Sequence, residues 1–272
     1  MISCKKCLLP ETHETISFDS QGTCNICTQH SDKTEKIDWD AKKEQLKKLI
    51  SEHKGKYEYD CIIPFSGGKD STWTLYYLIK EFKLNPLVVR FDHGFLRPNL
   101  EKNVKKVSRE LGFDMINFSP NWKIVQKLML KSFLDKGDFC WHCHTGIYSY
   151  PLRVALNYKI PLVFWGEPQS EITAYYDYLN DDIEYEDDNK FNMIRTLGIT
   201  AEDMHGMIDS PEDPVDMRDL IPYTFPDVKA LKALKYCSVP LGSFIPWDYT
   251  KNTEIIMREL GWKADEMEGV PK

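Results

Sequence analysis

Ser66-Gly67-Gly68-Lys69-Asp70-Ser71 lies between the apolar run Cys61-Ile62-Ile63-Pro64-Phe65 and the apolar-periodic segment Thr72 to Phe82. That order predicts a strand, a tight turn and a helix. Adjacent glycines admit positive φ and let backbone N–H groups close on an anion. The first turn of the following helix adds unpaired N–H groups and the positive end of its dipole. Lys69 contributes a full positive charge, and Ser66 and Ser71 contribute hydroxyl donors. Asp70 would repel a phosphate unless a cation such as Mg²⁺ lay between them. The stretch therefore predicts a cradle for a magnesium-bound nucleotide, with Lys69 and Asp70 as its charged working groups. The plainer alternative is a Gly-Gly turn ahead of an ordinary capped helix.

The spacing departs from the GxxxxGK[ST] of Walker loops. It resembles the PP-loop of ATP pyrophosphatases, enzymes that cut ATP to AMP and pyrophosphate while adenylating a substrate oxygen. The resemblance implies an adenine nucleotide alpha-hydrolase-like fold, with Ser66, Gly67, Gly68, Lys69, Asp70 and Ser71 around ATP.

Outward from this loop, short β-rich runs alternate with helical patterns. Strands are expected at 61–65, 87–91, 115–118 and 162–165, and helices at 70–82, 99–111, 122–135 and 145–157. Such alternation predicts an α/β fold with a doubly wound parallel sheet, in which ligands bind at the carboxyl ends of the strands. Two further strand ends are therefore candidates. In Phe91-Asp92-His93-Gly94-Phe95, Phe91 and Asp92 are expected beside the nucleotide, with Asp92 and His93 leaving the strand toward it; the alternative is a polar loop capping the next helix. In Trp165-Gly166-Glu167-Pro168, Gly166 would let the backbone approach an adenylate and Glu167 would act on metal or substrate.

Eight cysteines in a sequence whose start, Met1 to Cys7, has no signal-peptide apolar segment argue for metal or redox chemistry more than disulfides. Cys4-Lys5-Lys6-Cys7 and Cys24-Asn25-Ile26-Cys27 have the spacing of a tetrahedral zinc ribbon, with Ile16 to Thr23 as the hairpin between the knuckles. A closed four-thiolate site has no open position for catalysis, so its expected role is structural or partner-docking. Cys140-Trp141-His142-Cys143-His144 opens a helix, where a dipole favours thiolate. With Cys237 it could hold an iron–sulfur cluster with an open iron, or His142 or His144 could complete a zinc site; a reduced structural pair is the plain alternative.

The chain of 272 residues, 42% apolar and 28% charged, has room for one main domain with small additions. The expected division is a zinc-ribbon segment at 1–35, a connector helix at 36–58 with Trp39, Leu46, Leu49 and Ile50 on one face, the nucleotide domain at 59–180, and a C-terminal lid and helical segment at 181–272. Within the last, 241–248 could be a strand and 250–260 an amphipathic helix. No apolar run is long enough to span a bilayer, and the expected location is the cytoplasm. The net charge of −7 is concentrated in residues 177–219, with fourteen acidic against three basic side chains. The run Asp181 to Asp188 reads as a solvated loop. That balance disfavours a long polyanionic partner such as tRNA.

The zinc-knuckle start, Ser66 to Ser71, Phe91 to Phe95, Cys140 to Gly146, Trp165 to Pro168 and Leu260-Gly261-Trp262 together resemble N-acetyl sugar amidotransferases of bacterial surface-polysaccharide synthesis. The resemblance covers nearly the whole chain. It implies conversion of an acetamido group on a nucleotide-linked or nonulosonic sugar to an acetamidino group, in surface-polysaccharide or flagellin-glycan synthesis. It further implies ammonia supplied by a glutaminase and a cyclase-like barrel. ATP, Mg²⁺ and Zn²⁺ are the cofactors expected from the residues above. Members of that family often run on past the Glu268-Gly269-Val270-Pro271 stretch, whereas this sequence stops at Lys272. A second resemblance is to tRNA sulfur transferases, whose PP-loop, knuckles and CxxC plus a distant cysteine match Cys140, Cys143 and Cys237. A nucleotide-binding module without catalysis is a third class, disfavoured by Lys69 and Asp70.

Overall fold

In a computed structural model the described residues are 2–13, 15–166, 196 and 198–264. Glu167, the acidic run 181–188 and the Glu268 to Pro271 stretch lie outside them. The chain divides into two compact units. Among the described residues one comprises 2–52, 166 and 239–247, and the other comprises 53–165, 196, 198–238 and 248–264.

The larger unit is built on a five-stranded sheet, counting Cys237 and Ser238 of its last strand, and it fulfils the α/β expectation. Its strands are β1 (Cys61–Pro64), β2 (Pro86–Phe91), β3 (Asp114–Phe118), β4 (Leu162–Trp165) and β5 (Cys237–Pro240). Their order is β3-β2-β1-β4-β5. β1 runs parallel to β2 with Ile62 opposite Leu87, and parallel to β4 with Ile62 opposite Val163; β2 runs parallel to β3. From β1 the chain winds outward to β2 and β3, then crosses back to β4 on the other side. β1 therefore stands at the point where the winding reverses, and in open sheets of this kind the loop leaving such a strand borders the ligand crevice.

The connecting helices follow the periodicity closely. These are α3 (Lys69–Phe82), α4 (Pro98–Leu111), α5 (Trp122–Lys136) and α6 (Trp141–Tyr158). α3 and α4 end where Lys83 and Gly112 take up left-handed φ of 53° and 67°. Beyond β4 come α7 (Ala201–Ile208), a 3₁₀ turn (Met217–Tyr223), α8 (Val228–Leu234) and α9 (Tyr249–Leu260). α3 packs with α4 and α9, while α6 packs on β1, β2 and β4 and against α5 and α8. The core joins Ile62, Leu87, Val89, Leu152, Ile160, Val163 and Tyr236. A second cluster gathers Phe91, Leu128, Trp141, Met204 and Tyr223.

One detail differs from the sequence reading: the last strand is at 237–240, with a 3₁₀ turn at Leu241–Ser243 where a strand was expected. β-branched Val239 favours the strand, and Pro240 removes the N–H needed to carry pairing further. α7 falls in the segment expected to be helical and is started by a capping box in which Thr200 and Asp203 exchange bonds with each other's backbone N–H.

The smaller unit contains α1 (Asn25–Lys36) and α2 (Trp39–Ser51). α2 buries Leu46 and Ile50, the face expected of the connector. The four cysteines replace an apolar core: Cys4, Cys24 and Cys27 are buried, with Ile16, Phe18 and Ile26 packed on them. A tight turn between the knuckles pairs Phe18 with Cys24, and Asp19 accepts from the N–H groups of Gln21 and Thr23. No helix among the described residues is long and apolar enough to cross a membrane.

Candidate active site

β1 delivers the chain to Phe65, whose N–H bonds Val89 O at 2.9 Å. The loop then turns at Gly67, at φ +85°. A Cβ there would stand 2.6 Å from Val104 Cγ2 and 3.2 Å from Leu100 O, so both backbone conformation and packing demand glycine. Gly68 is the N-cap of α3 and, lacking a side chain, supplies no capping bond. The first turn of α3 therefore presents its N–H groups without a side-chain acceptor, which is the local requirement for an anion site.

The two serines brace this arrangement. Ser66 N–H donates to Ser71 Oγ at 3.3 Å, the two hydroxyls meet at 3.2 Å, and Gly68 N–H donates to Ser66 Oγ at 3.3 Å. Lys69 Nζ lies 2.5 Å from Asp70 Oδ2 and 4.8 Å from the centre of the Tyr249 ring. The Lys69 side chain is more than a third exposed, so its ammonium is held near the cradle and accessible from solvent. The structure thus assembles Ser66, Gly67, Gly68, Lys69, Asp70 and Ser71 into one loop at the carboxyl end of β1. An Mg²⁺ ion would suit this donor set, because Asp70 is the one carboxylate in the loop and its present partner is a cation it could exchange.

The loop is closed from behind by the far end of the chain. Trp262 Nε1 donates to Gly67 O at 2.9 Å in a buried contact across 195 residues of sequence. Asn103 bonds the backbone of Lys263 in both directions, at 2.8 and 3.0 Å. Leu260-Gly261-Trp262 carries no role in the sequence reading; the signal that points to Trp262 is a large aromatic just past the helix-stopping Gly261.

The end of β2 behaves differently. Asp92 Oδ1 accepts from Gly94 N–H at 3.0 Å and Oδ2 accepts from Ser119 Oγ at 3.2 Å, so this carboxylate holds its own loop rather than reaching outward. The Phe91 ring is buried against Phe118, Tyr150 and Tyr223. Its ring also fills the space a Cβ on Gly146 would need, at 2.2 Å, so α6 crosses β2 closely. His142 donates from Nε2 to His93 O at 3.2 Å. Burial lowers the pKa of both histidines from 6.5. Beside this loop lies an open apolar groove of about 510 Å³ lined by Phe95, Trp122, Gln126, Met129, Leu130, Phe133 and Phe139, which contains none of the phosphate-loop residues. Gly166 follows β4 and accepts through its carbonyl from Gly242 N–H at 3.0 Å.

The cysteines sort into two outcomes. The ligand atoms of Cys4, Cys7, Cys24 and Cys27 all lie within 4.8 Å of one another, the one such group of metal-ligating side chains among the described residues. Cys4 and Cys27 sulfurs are 3.9 Å apart and Cys7 and Cys24 sulfurs 3.5 Å apart. A tetrahedral zinc with bonds of about 2.3 Å sets sulfurs roughly 3.8 Å from one another, so the cluster fits that ion. N–H groups of Lys6, Cys7 and Cys24 donate to Cys4 Sγ at 3.3–3.5 Å. These N–H groups, that of Cys7 foremost, lower that thiol to about 6 against the opposing effect of burial, while burial pushes Cys27 up to about 12.

Among the described residues, Cys140, Cys143 and Cys237 do not form a group whose ligand atoms lie close enough together to share a metal ion. Nor does the helix start activate its thiols. Burial pushes Cys143 up to about 12, and burial together with the Asp138 carboxylate raises Cys140. Desolvation and a neighbouring negative charge both oppose the thiolate here.

No family model matches the sequence. An uncharacterized protein of Methanocaldococcus jannaschii is 32% identical over 119 residues, covering 42% of this chain and 42% of that protein. The match thus spans about 42% of the length of that relative. Among solved structures, the NH3-dependent NAD synthetase of Campylobacter jejuni in complex with nitrate is similar over 85% of this chain and 100% of its own, at 11% identity and a TM-score of 0.40. The U34-tRNA thiolase NcsA of Methanococcus maripaludis with its 4Fe–4S cluster is similar over 98% of this chain and 75% of its own, at 12% identity and a TM-score of 0.38. An NMN synthetase of Francisella tularensis covers 86% of this chain and 100% of its own, at 12% identity and 0.37. At these identities and scores the likenesses assign neither a reaction nor a cofactor.

Proposed function

We propose that this protein is an ATP-using enzyme of the PP-loop type that cleaves ATP between the α- and β-phosphates and transfers the adenylyl group to an amide oxygen. The observation that carries this reading is the uncapped start of α3 behind the glycine turn, with Lys69 and Asp70 on its first turn, at the strand where the sheet winding reverses. The N-acetyl sugar as acceptor and ammonia as second substrate rest on the sequence resemblance alone.

An amide carbon resists ammonia because its oxygen leaves poorly. In the proposed reaction the acetamido oxygen attacks the α-phosphorus of ATP, the bond to the β-phosphate oxygen breaks, and pyrophosphate departs. Ammonia then adds to the imidate carbon and AMP leaves with the former amide oxygen, giving the acetamidine. The N–H groups at the start of α3 and the Lys69 ammonium would hold the departing pyrophosphate and stabilise charge developing on it. Asp70 would hold Mg²⁺, which supplies charge neutralisation across the phosphates when bound. Ser66 and Ser71 keep the loop in shape. In the smaller unit, Cys4, Cys7, Cys24 and Cys27 would hold Zn²⁺ as a folding element.

Incubation with ATP, Mg²⁺, ammonium and a panel of N-acetylated sugars, followed by phosphorus NMR and mass spectrometry, tests the reading. AMP and pyrophosphate are expected in equal amounts, with a sugar product in which NH replaces O. ADP and orthophosphate as products would overturn it. The sulfur-transfer alternative requires Cys140, Cys143 and Cys237 to act together, and the placement of those thiols does not favour it.

A further inference from the structure

We infer that Trp262 is a positioning residue for the phosphate loop, fixing the peptide between Gly67 and Gly68 so that its N–H, and not its carbonyl, faces the anion. The inference deepens the nucleotide reading above and rests on it.

A peptide unit flanked by two glycines can flip at little steric cost, because neither residue has a Cβ to oppose it. Here the two orientations are chemically opposite. In one, the Gly68 N–H points into the loop, where it meets Ser66 Oγ at 3.3 Å. In the other, the Gly67 carbonyl oxygen would point into the loop and repel a phosphate. The indole of Trp262 selects between them. Its N–H donates to Gly67 O at 2.9 Å from a ring only 5% exposed, so a flip would strand a buried donor away from water.

The tail that carries Trp262 is held by contacts of its own. Buried Asn103 makes its reciprocal pair with the Lys263 backbone, Lys106 Nζ donates to Gly261 O at 3.2 Å, and Trp262 N–H returns to Ile256 O at 3.3 Å. Val104, on the same helix as Asn103 and Lys106, is the side chain that closes over Gly67. One face of α4 thus seats both the loop and the tail that orients it, and loss of the indole N–H alone would leave the tail in place.

Trp262→Phe keeps the ring and removes the donor. Affinity for magnesium pyrophosphate, read by calorimetry, is expected to fall about five- to tenfold, the size of one net hydrogen bond, while adenosine binding stays within twofold. A general loosening of the fold would weaken both, so equal losses for both probes would overturn the inference, as would unchanged pyrophosphate affinity in the variant. If the wild-type protein binds neither magnesium pyrophosphate nor MgATP, it is the nucleotide reading that fails. Exchange of the Trp262 indole proton in the unmodified protein, followed by NMR, is a second measurement independent of the variant's folding. Pyrophosphate is expected to slow it severalfold, and an unchanged rate would overturn the inference.

Discussion

Two loops leave neighbouring strands through glycines of the same conformation, Gly67 and Gly94, both at φ +85°. In each, a Cβ would collide with a packed side chain, Val104 Cγ2 at 2.6 Å in one and Trp122 Cζ3 at 2.4 Å in the other. The backbone solution is shared, and the polar groups are spent differently. After β2, Asp92 closes on Gly94 N–H and Ser119, which satisfies the turn internally. After β1, the N-cap is a bare Gly68 and the charged side chains sit on the helix that follows. A turn that satisfies itself and caps nothing is scaffold, whereas one followed by a helix start without a side-chain cap can hold an anion.

The strongest way to break this comparison is to remove the charge from the open loop. Lys69→Ala is expected to lower the rate of pyrophosphate formation by about 10²–10³-fold, as loss of one preorganised charge stabiliser does, with the thermal midpoint almost unmoved because the side chain is partly exposed. Near-normal turnover would demote the loop. Alanine at the two glycines comes next. Gly67→Ala and Gly94→Ala should each cost about 1–3 kcal/mol in denaturant unfolding through strain and overpacking. The former should also abolish MgATP binding, and the latter should leave it intact. Asp92→Asn should be milder still, under about 1 kcal/mol, since an amide oxygen can still accept from Gly94. A hundredfold loss of turnover in that variant would restore Asp92 to the chemistry.

Acid sharpens the same contrast. His93 and His142 sit at the β2 loop with pKa values lowered by burial, so the unfolded chain takes up protons more readily than the folded one. Their contribution to stability is complete above about pH 6.5 and declines as pH falls below it. The urea midpoint should drop between pH 7 and 5.5, and His142→Gln should flatten that slope; an unchanged slope would show that the buried imidazole is not its source.

How much of this was legible beforehand depended on range. The loop, four strands and most helices follow from local pattern: a buried apolar run, a pair of glycines, a 3.6-residue period. The four-thiol cluster was legible because two short spacings constrain each other. The CxxC at Cys140 has that same spacing and a different fate, because its convergence with Cys237 was a tertiary question and its thiol chemistry turned on burial and on Asp138. Trp262 was out of reach for a related reason: its partner is a backbone carbonyl 195 residues away. For Asp92 local pattern cannot decide, because a carboxylate leaving a strand end reads the same whether it faces substrate or its own turn.

The four-thiol cluster gives a prediction of its own. Cys4→Ser should remove bound zinc and melt the smaller unit earlier while changing nucleotide binding little, as metal analysis and calorimetry would report.

The most direct test of the central claim is calorimetric titration of the wild-type protein and Lys69→Ala with MgATP. The loop geometry predicts one site per chain in the wild type and a loss of at least tenfold in affinity in the variant. Equal binding by the two proteins, or none by either, would contradict it.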